Sequence, residues 1–171
     1  MVPLATIKSA LRIDYTTDDE ELTRLRDAAV AFVERRTQLV LRPAPQSLYL
    51  SKFRDALLPA HPFNSMDSVR YYNASNVLTT MPTADYWIDR TDGPIPTIRF
   101  LETPTIYEGT AITVSYNAGF GSLPQEIVHA VIGLTGHWYS NPEAAQPVAL
   151  ATVPMGIHFI LENLSTRSNL R

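Results

Sequence analysis

The sequence predicts an α+β chain, a small helical bundle with an inserted proline-rich antiparallel β-sheet. Three observations lead there. Helical periodicity is confined to the two ends of the chain, while eight of the thirteen prolines (Pro43, Pro45, Pro59, Pro62, Pro82, Pro94, Pro96 and Pro104) fall between residues 43 and 104 and exclude long helices from the middle. The stretch AITVSYNAGFGSLPQEIVHAVIGLTGHWYSN, from Ala111 to Asn141, reads as one strand, one turn and one helix, and ties the two kinds of region together.

In chain order, Leu4, Ile7 and Leu11 share a face of a first helix expected over about 3–14. A second helix is expected over about 17–37, with Thr17 and Glu20 as a capping box, acidic Asp18 and Asp19 at its positive end, and Arg35 and Arg36 at its negative end. Leu22, Leu25, Ala29, Phe32 and Val33 form its inward stripe. The β insertion spans about 44–117, with alternating runs at Ser47 to Ser51, Val69 to Tyr72, Tyr86 to Ile88, Thr97 to Leu101 and Ile112 to Tyr116, which closes the sheet. Turns are expected at Asn73 to Asn76 and Asp92 to Pro94. A third helix is expected over about 122–140, capped by Ser122 with Gln125, and places Ile127, Val131, Leu134 and Trp138 on one face, with Trp138 buried. PEAAQPVALATV then reads as an extended loop, and a last helix over about 154–164 opens at Pro154 with Ile157, Ile160, Leu161 and Leu164 on one stripe. The end, STRSNLR, has no apolar periodicity and is expected to order only on a partner. Without a solenoid repeat or a low-complexity tether, the chain is expected to be a single domain over 1–171.

Composition narrows the chemistry. A chain of 171 residues can bury about 70% of its unfolded surface without staples. The absence of cysteine removes thiol catalysis and Cys-built zinc sites, and fits a reducing compartment. The N-terminal stretch MVPLATIKSALRID has no apolar core long enough for a signal peptide or a membrane span, so a soluble cytoplasmic product is expected. A net charge of −3 gives no global basic footprint for nucleic acid.

Most chemical readings of single residues fail on spacing. Glu126 and His129 form one Glu-x-x-His pair, but a carboxylate-bridged metal site needs a second copy and further glutamates, so no metal is expected. His129 and His137 are two helical turns apart, too far to act as an i, i+4 metal pair, and His61 and His158 are isolated. Gly119-Phe120-Gly121 begins like a dinucleotide loop, but Pro124 occupies the third glycine position and no βαβ unit surrounds it; no cofactor is expected. Tyr71, Tyr72, Tyr86, Trp87 and Tyr107 would suit a stacking platform for single strands, but Asp67, Asp85 and Asp89 offset the nearby arginines, and the aromatics are assigned to the sheet core.

Taken together, LATIKSALRID, DDEELTRLRDAAVAFVERRT, SVRYYN, DYWID, the strand-turn-helix segment and VPMGIHFILENL resemble the head-tail connector (adaptor) family of tailed bacteriophages and gene transfer agents over nearly the whole chain. The most specific parts are Lys8, Leu11, Arg12 and Ile13; Glu34, Arg35 and Thr37; and the AGFG turn with its P-x-x-I helix start. The last helix starts Val153-Pro154-Met155-Gly156 where the family has LP-x-G. None of these motifs is catalytic.

The resemblance implies a structural virion protein: a ring of copies, dodecameric in the virion, in the neck beneath the portal protein, assembled in the host cytoplasm and continuing the DNA channel toward the tail. Its expected partners are portal, neighbouring copies, a stopper or tail-completion protein, and passing double-stranded DNA without sequence-specific binding. A portal interface is expected at Leu164, Arg167, Leu170 and Arg171, because the family's C-terminal region reaches toward the portal and the two arginines give an acidic protein a positive end. The β insertion is expected to face neighbouring subunits or the tail side. The acidic balance also suits a wall past which DNA slides. Alternatives are a neck stopper or tail-completion protein and, from another class, a small enzyme using His129 or His137.

Overall fold

The computed structural model describes residues 1–91, 93, 95–142 and 155–165. The chain divides into two compact units, one formed by Met1–Leu41 with the described residues after Phe120, the other by Arg42–Phe120. The first is helical and the second is β, so the fold is α+β, with the proline-rich segment inserted between helices.

In the helical unit, α1 (Leu4–Leu11), α2 (Asp19–Thr37), α3 (Gln125–Ser140) and α4 (Met155–Leu164) pack around α3, which touches the other three. Ile7 of α1, Leu22, Leu25, Ala29 and Val33 of α2, Ile127, Val131 and Leu134 of α3, and Ile157 and Leu161 of α4 are buried together in this unit. Gly133 and Gly136 sit inside α3, where glycine ordinarily weakens a helix. A methyl group at Gly133 would come within 2.8 Å of Ile157 of α4, and one at Gly136 within 2.6 Å of Leu11 of α1, so their smallness sets two close crossings.

The helix ends differ from expectation. Neither expected capping box forms, because α2 begins after Asp18 and α3 after Pro124 with no side-chain cap bond at either. Asp18 instead takes a tertiary hydrogen bond from Tyr139, a use for the carboxylate that sequence spacing does not reveal. α1 stops three residues short of Asp14 because Arg12 turns left-handed, and the N–H of Ile13 closes back on the Lys8 carbonyl at 2.9 Å. Trp138 is half-buried, not buried, with its ring edge-on to Phe32 at 6.1 Å between centroids. Pro154, the loop before it and the residues after Ser165 lie outside the described residues, as do Asp92 and Pro94 of the expected turn.

The β unit holds two antiparallel sheets instead of the single sheet expected. In the first, β1 (Ala44–Leu50), β7 (Ile112–Ala118), β3 (Phe63–Tyr72) and β4 (Leu78–Thr80) lie side by side in that order. β7 is central; its Ile112, Val114, Tyr116 and Ala118 are buried while the residues between them are half-buried, the alternation of a strand with one core face. Register runs Ala44↔Ala118 to Leu50↔Ile112 on one side of β7, and Val69↔Val114 on the other, where β3 is bulged. The second sheet is β2 (Ala56–Leu57), β6 (Thr97–Phe100) and β5 (Tyr86–Asp89). Phe53, on the connection after β1, joins the two: its ring meets Tyr71 of the first sheet and Phe100 of the second edge-on, each at 5.2 Å. β2 and β4 are too short, at two and three residues, for sequence periodicity to reveal them.

Candidate functional site

Among the described residues, the histidines and the glutamate singled out by spacing do not converge. Glu126 and His129 are exposed on α3, His137 is half-buried further along it, and no three His, Asp or Glu among the described residues are placed to hold a metal. His158 of α4 faces Glu162 at 3.5 Å, an exposed i, i+4 pair. His61 is buried, its Nδ1 2.8 Å from the Pro59 carbonyl and its Nε2 without a hydrogen-bond partner among the described residues. A hollow of about 250 Å³ is lined by Pro62, Phe63, Arg90, Gly93 and Pro96, and one of about 220 Å³ by Phe32, Arg35 and Arg36; neither set contains a nucleophile or a general base.

The signature residues work as fasteners. Lys8 bridges the α1–α2 turn, its Nζ donating at 2.6 Å to the Tyr15 carbonyl and at 2.6 Å to Asp19. Glu34 reaches past the end of α2 to accept the N–H of Leu41 at 3.0 Å. Thr37, fully buried, donates to the Val33 carbonyl at 2.8 Å and accepts the N–H of Leu39 at 3.3 Å, so the left-handed residue Gln38 is held from both sides. Gly119 has a φ of +127°, and a side chain there would meet the Arg42 carbonyl at 2.4 Å. Its N–H donates to the Pro62 carbonyl at 2.8 Å and its own carbonyl accepts from Asn64 at 2.9 Å. The AGFG turn is therefore a close backbone crossing and not a phosphate cradle.

Two polar clusters shift titration. The Asp18 carboxylate and the Tyr15 hydroxyl, both bonded to the Tyr139 phenol, push it well above the ordinary tyrosine range. In the β unit Asp89 accepts from the Thr91 hydroxyl at 2.5 Å, the Thr91 N–H at 3.0 Å and Arg99 at 2.8 Å, which together lower its carboxyl to about 2.

The described residues also expose apolar surface. α4 buries Ile157 and Leu161, but Met155 and Phe159, one turn apart on another stripe, are 78% and 60% exposed. This second stripe lies beside the expected one of Ile157, Ile160, Leu161 and Leu164, and its i, i+4 spacing is legible in the sequence. Of the expected portal residues, Leu164 is half-buried at the end of α4, while Arg167, Leu170 and Arg171 lie outside the described residues. The aromatics assigned to the sheet core divide: Tyr71 and Tyr86 are buried, whereas Tyr72, Trp87 and Tyr107 are exposed. Among the described residues no helix is long and apolar enough to cross a membrane.

No curated protein matches the chain. Among solved structures, a chain in the neck of an empty gene transfer agent particle computed with sixfold symmetry is similar at 25% identity and a TM-score of 0.75, over 95% of this chain and 88% of that one. A chain in the virion of a native gene transfer agent particle is similar at 25% identity and 0.76, over the same shares. A third, in the neck of the native particle computed with twelvefold symmetry, is 24% identical at 0.68 over 96% and 91%. The family model for phage gp6-like head-tail connector proteins matches residues 1–87, just over half of the 171, and the chain belongs to that family.

Proposed function

We propose that this chain is a neck subunit that closes into a ring, dodecameric in the virion, docks on the portal protein and continues the DNA channel to the tail without catalysing a reaction. The observation that carries this reading is the family match together with likeness, over nearly the whole chain, to chains in particle necks. The fold serves the role physically. A closed cyclic ring uses two different surfaces on every copy, and the chain exposes apolar clusters in both of its units. Passing double-stranded DNA needs a wall that does not grip phosphate, which an acidic subunit supplies. On the tail side a stopper or tail-completion protein receives the ring, and assembly takes place in the host cytoplasm.

Portal contact belongs to the C-terminal end in this reading. Leu164 and Leu170 supply apolar anchors, and Arg167 and Arg171 meet portal carboxylates as charge-assisted pairs. Electron microscopy of the purified chain with portal added tests the whole reading: rings seated on portal support it, and a persistent monomer that ignores portal overturns it. Truncation before Ser165 tests the contact. It is expected to leave circular dichroism and thermal unfolding unchanged while weakening portal binding, by a margin that shrinks at high salt as the pairs are screened. Full binding by the truncated chain moves the contact to the helices.

A further inference from the structure

The outward face of the three-stranded sheet has the makings of an interface. Trp87 of β5 lies directly opposite Arg99 of β6, and Leu57 of β2 opposite Thr97, so alternation places Leu57, Trp87, Arg99 and, just beyond β6, Leu101 on one face. Leu57, Trp87 and Leu101 are 49%, 46% and 63% exposed. The arginine in their midst is already paired: Arg99 donates to Asp89 at 2.8 Å and to Asp55 at 2.9 Å, and its guanidinium lies 5.8 Å from the centre of the Trp87 ring. A partner can therefore cover Arg99 without leaving its guanidinium unpaired, the usual penalty for burying an arginine, provided that Asp55, 48% exposed, keeps its access to water. Tryptophan and arginine are also among the side chains enriched at the energetic centres of protein interfaces.

The same unit exposes a second apolar cluster, at the β3–β4 hairpin. Tyr72 pairs with Leu78 across the hairpin, Val77 precedes Leu78, and Tyr107 is tied alongside by its N–H to the Tyr72 carbonyl at 2.8 Å; all four side chains are exposed. Around a cyclic ring every contact is heterologous, one surface meeting a different one on the next copy. Resting on the ring reading above, we infer that the Trp87 face of one copy is covered by the Tyr72–Leu78 hairpin cluster of the next, so that the β units form a continuous belt.

The absence of native cysteine gives a clean test. Chains carrying Leu78→Cys, Leu101→Cys, or both are oxidised at a concentration where the wild type forms rings in electron micrographs, with portal added if the chain alone does not close. The double variant is expected to give a ladder of covalent multimers, and each single variant none. A ladder absent from the double variant while rings remain visible overturns the inference and leaves the ring reading standing. Cross-linked dimers from a single variant overturn it as well, since they mark a self-complementary contact. If no rings form under either condition, both readings fall. Trp87→Glu, at an exposed position, is expected to keep the circular dichroism of the wild type and weaken ring formation about tenfold or more, as loss of a central interface tryptophan does; undiminished rings from a folded Trp87→Glu chain also sink the inference.

Discussion

The two units solve the problem of a small core in different ways. The helical unit is closed by local fasteners, Lys8 over the α1–α2 turn and Glu34 and Thr37 at the end of α2, and its apolar stripes meet around α3. The β unit depends on partners distant in sequence: Ala44 pairs with Ala118, Phe63 with the same residue, and Phe53 joins two sheets. A short strand has only two neighbours and two faces, so dividing about 80 residues between two small sheets leaves large apolar side chains outside, as at Trp87 and Leu78. Among the described residues the β unit leaves more large apolar side chains exposed than the helical unit does.

The largest effect separating the units is expected at the close crossing in the β unit. Gly119→Val forces a branched side chain into a left-handed backbone position against the Arg42 carbonyl, and we expect a loss on the order of 3–5 kcal/mol, or failure to fold, in urea unfolding. A loss under about 1 kcal/mol would mean that the crossing relaxes and the β unit is softer than its register implies.

Leu134→Ala, at a fully buried position on α3, is expected to cost about 2–5 kcal/mol. Trp138→Ala is expected to cost less, about 1–3 kcal/mol, because its ring is half-buried and a full loss near the upper range belongs to buried aromatics. If Trp138 proves costlier than Leu134, the packing centre of the helical unit lies nearer Phe32 than the burial pattern indicates.

The smallest effects are in pH, and they run in opposite directions in the two units. The Tyr139 phenol holds its proton more tightly when folded than the ordinary tyrosine value of about 10, so its contribution is complete below about pH 10 and is lost as pH rises beyond it. Asp89 falls from 3.8 to about 2, so its contribution is complete above about pH 4 and is lost as pH drops toward 2. Each unit contains one of the two tryptophans, Trp138 with the helices and Trp87 with the sheets, so fluorescence of Trp87→Phe and Trp138→Phe chains follows each unit alone. Tyr139→Phe is expected to flatten the alkaline arm of the helical signal and Asp89→Asn the acid arm of the β signal; identical pH profiles in both would mean the units unfold as one.

From the sequence by itself came the α+β class, the placement of the helices, the confinement of strands to the proline-rich middle, and the resemblance that the family match supports. These depend on local periodicity and on proline, whose effects act within a few residues. The tertiary structure decided what depends on distant groups. Two sheets formed where one was expected, because strand pairing is set by register between segments far apart in the chain, as Ala44 with Ala118 shows. Asp18 was drawn from its expected capping region to Tyr139, Trp138 stopped half-way into the core, and Trp87 came out on the face that Tyr86 leaves. A side chain's inward or outward direction alternates legibly along a strand, but which of the two faces meets a core depends on what packs against the sheet, and that information lies elsewhere in the chain.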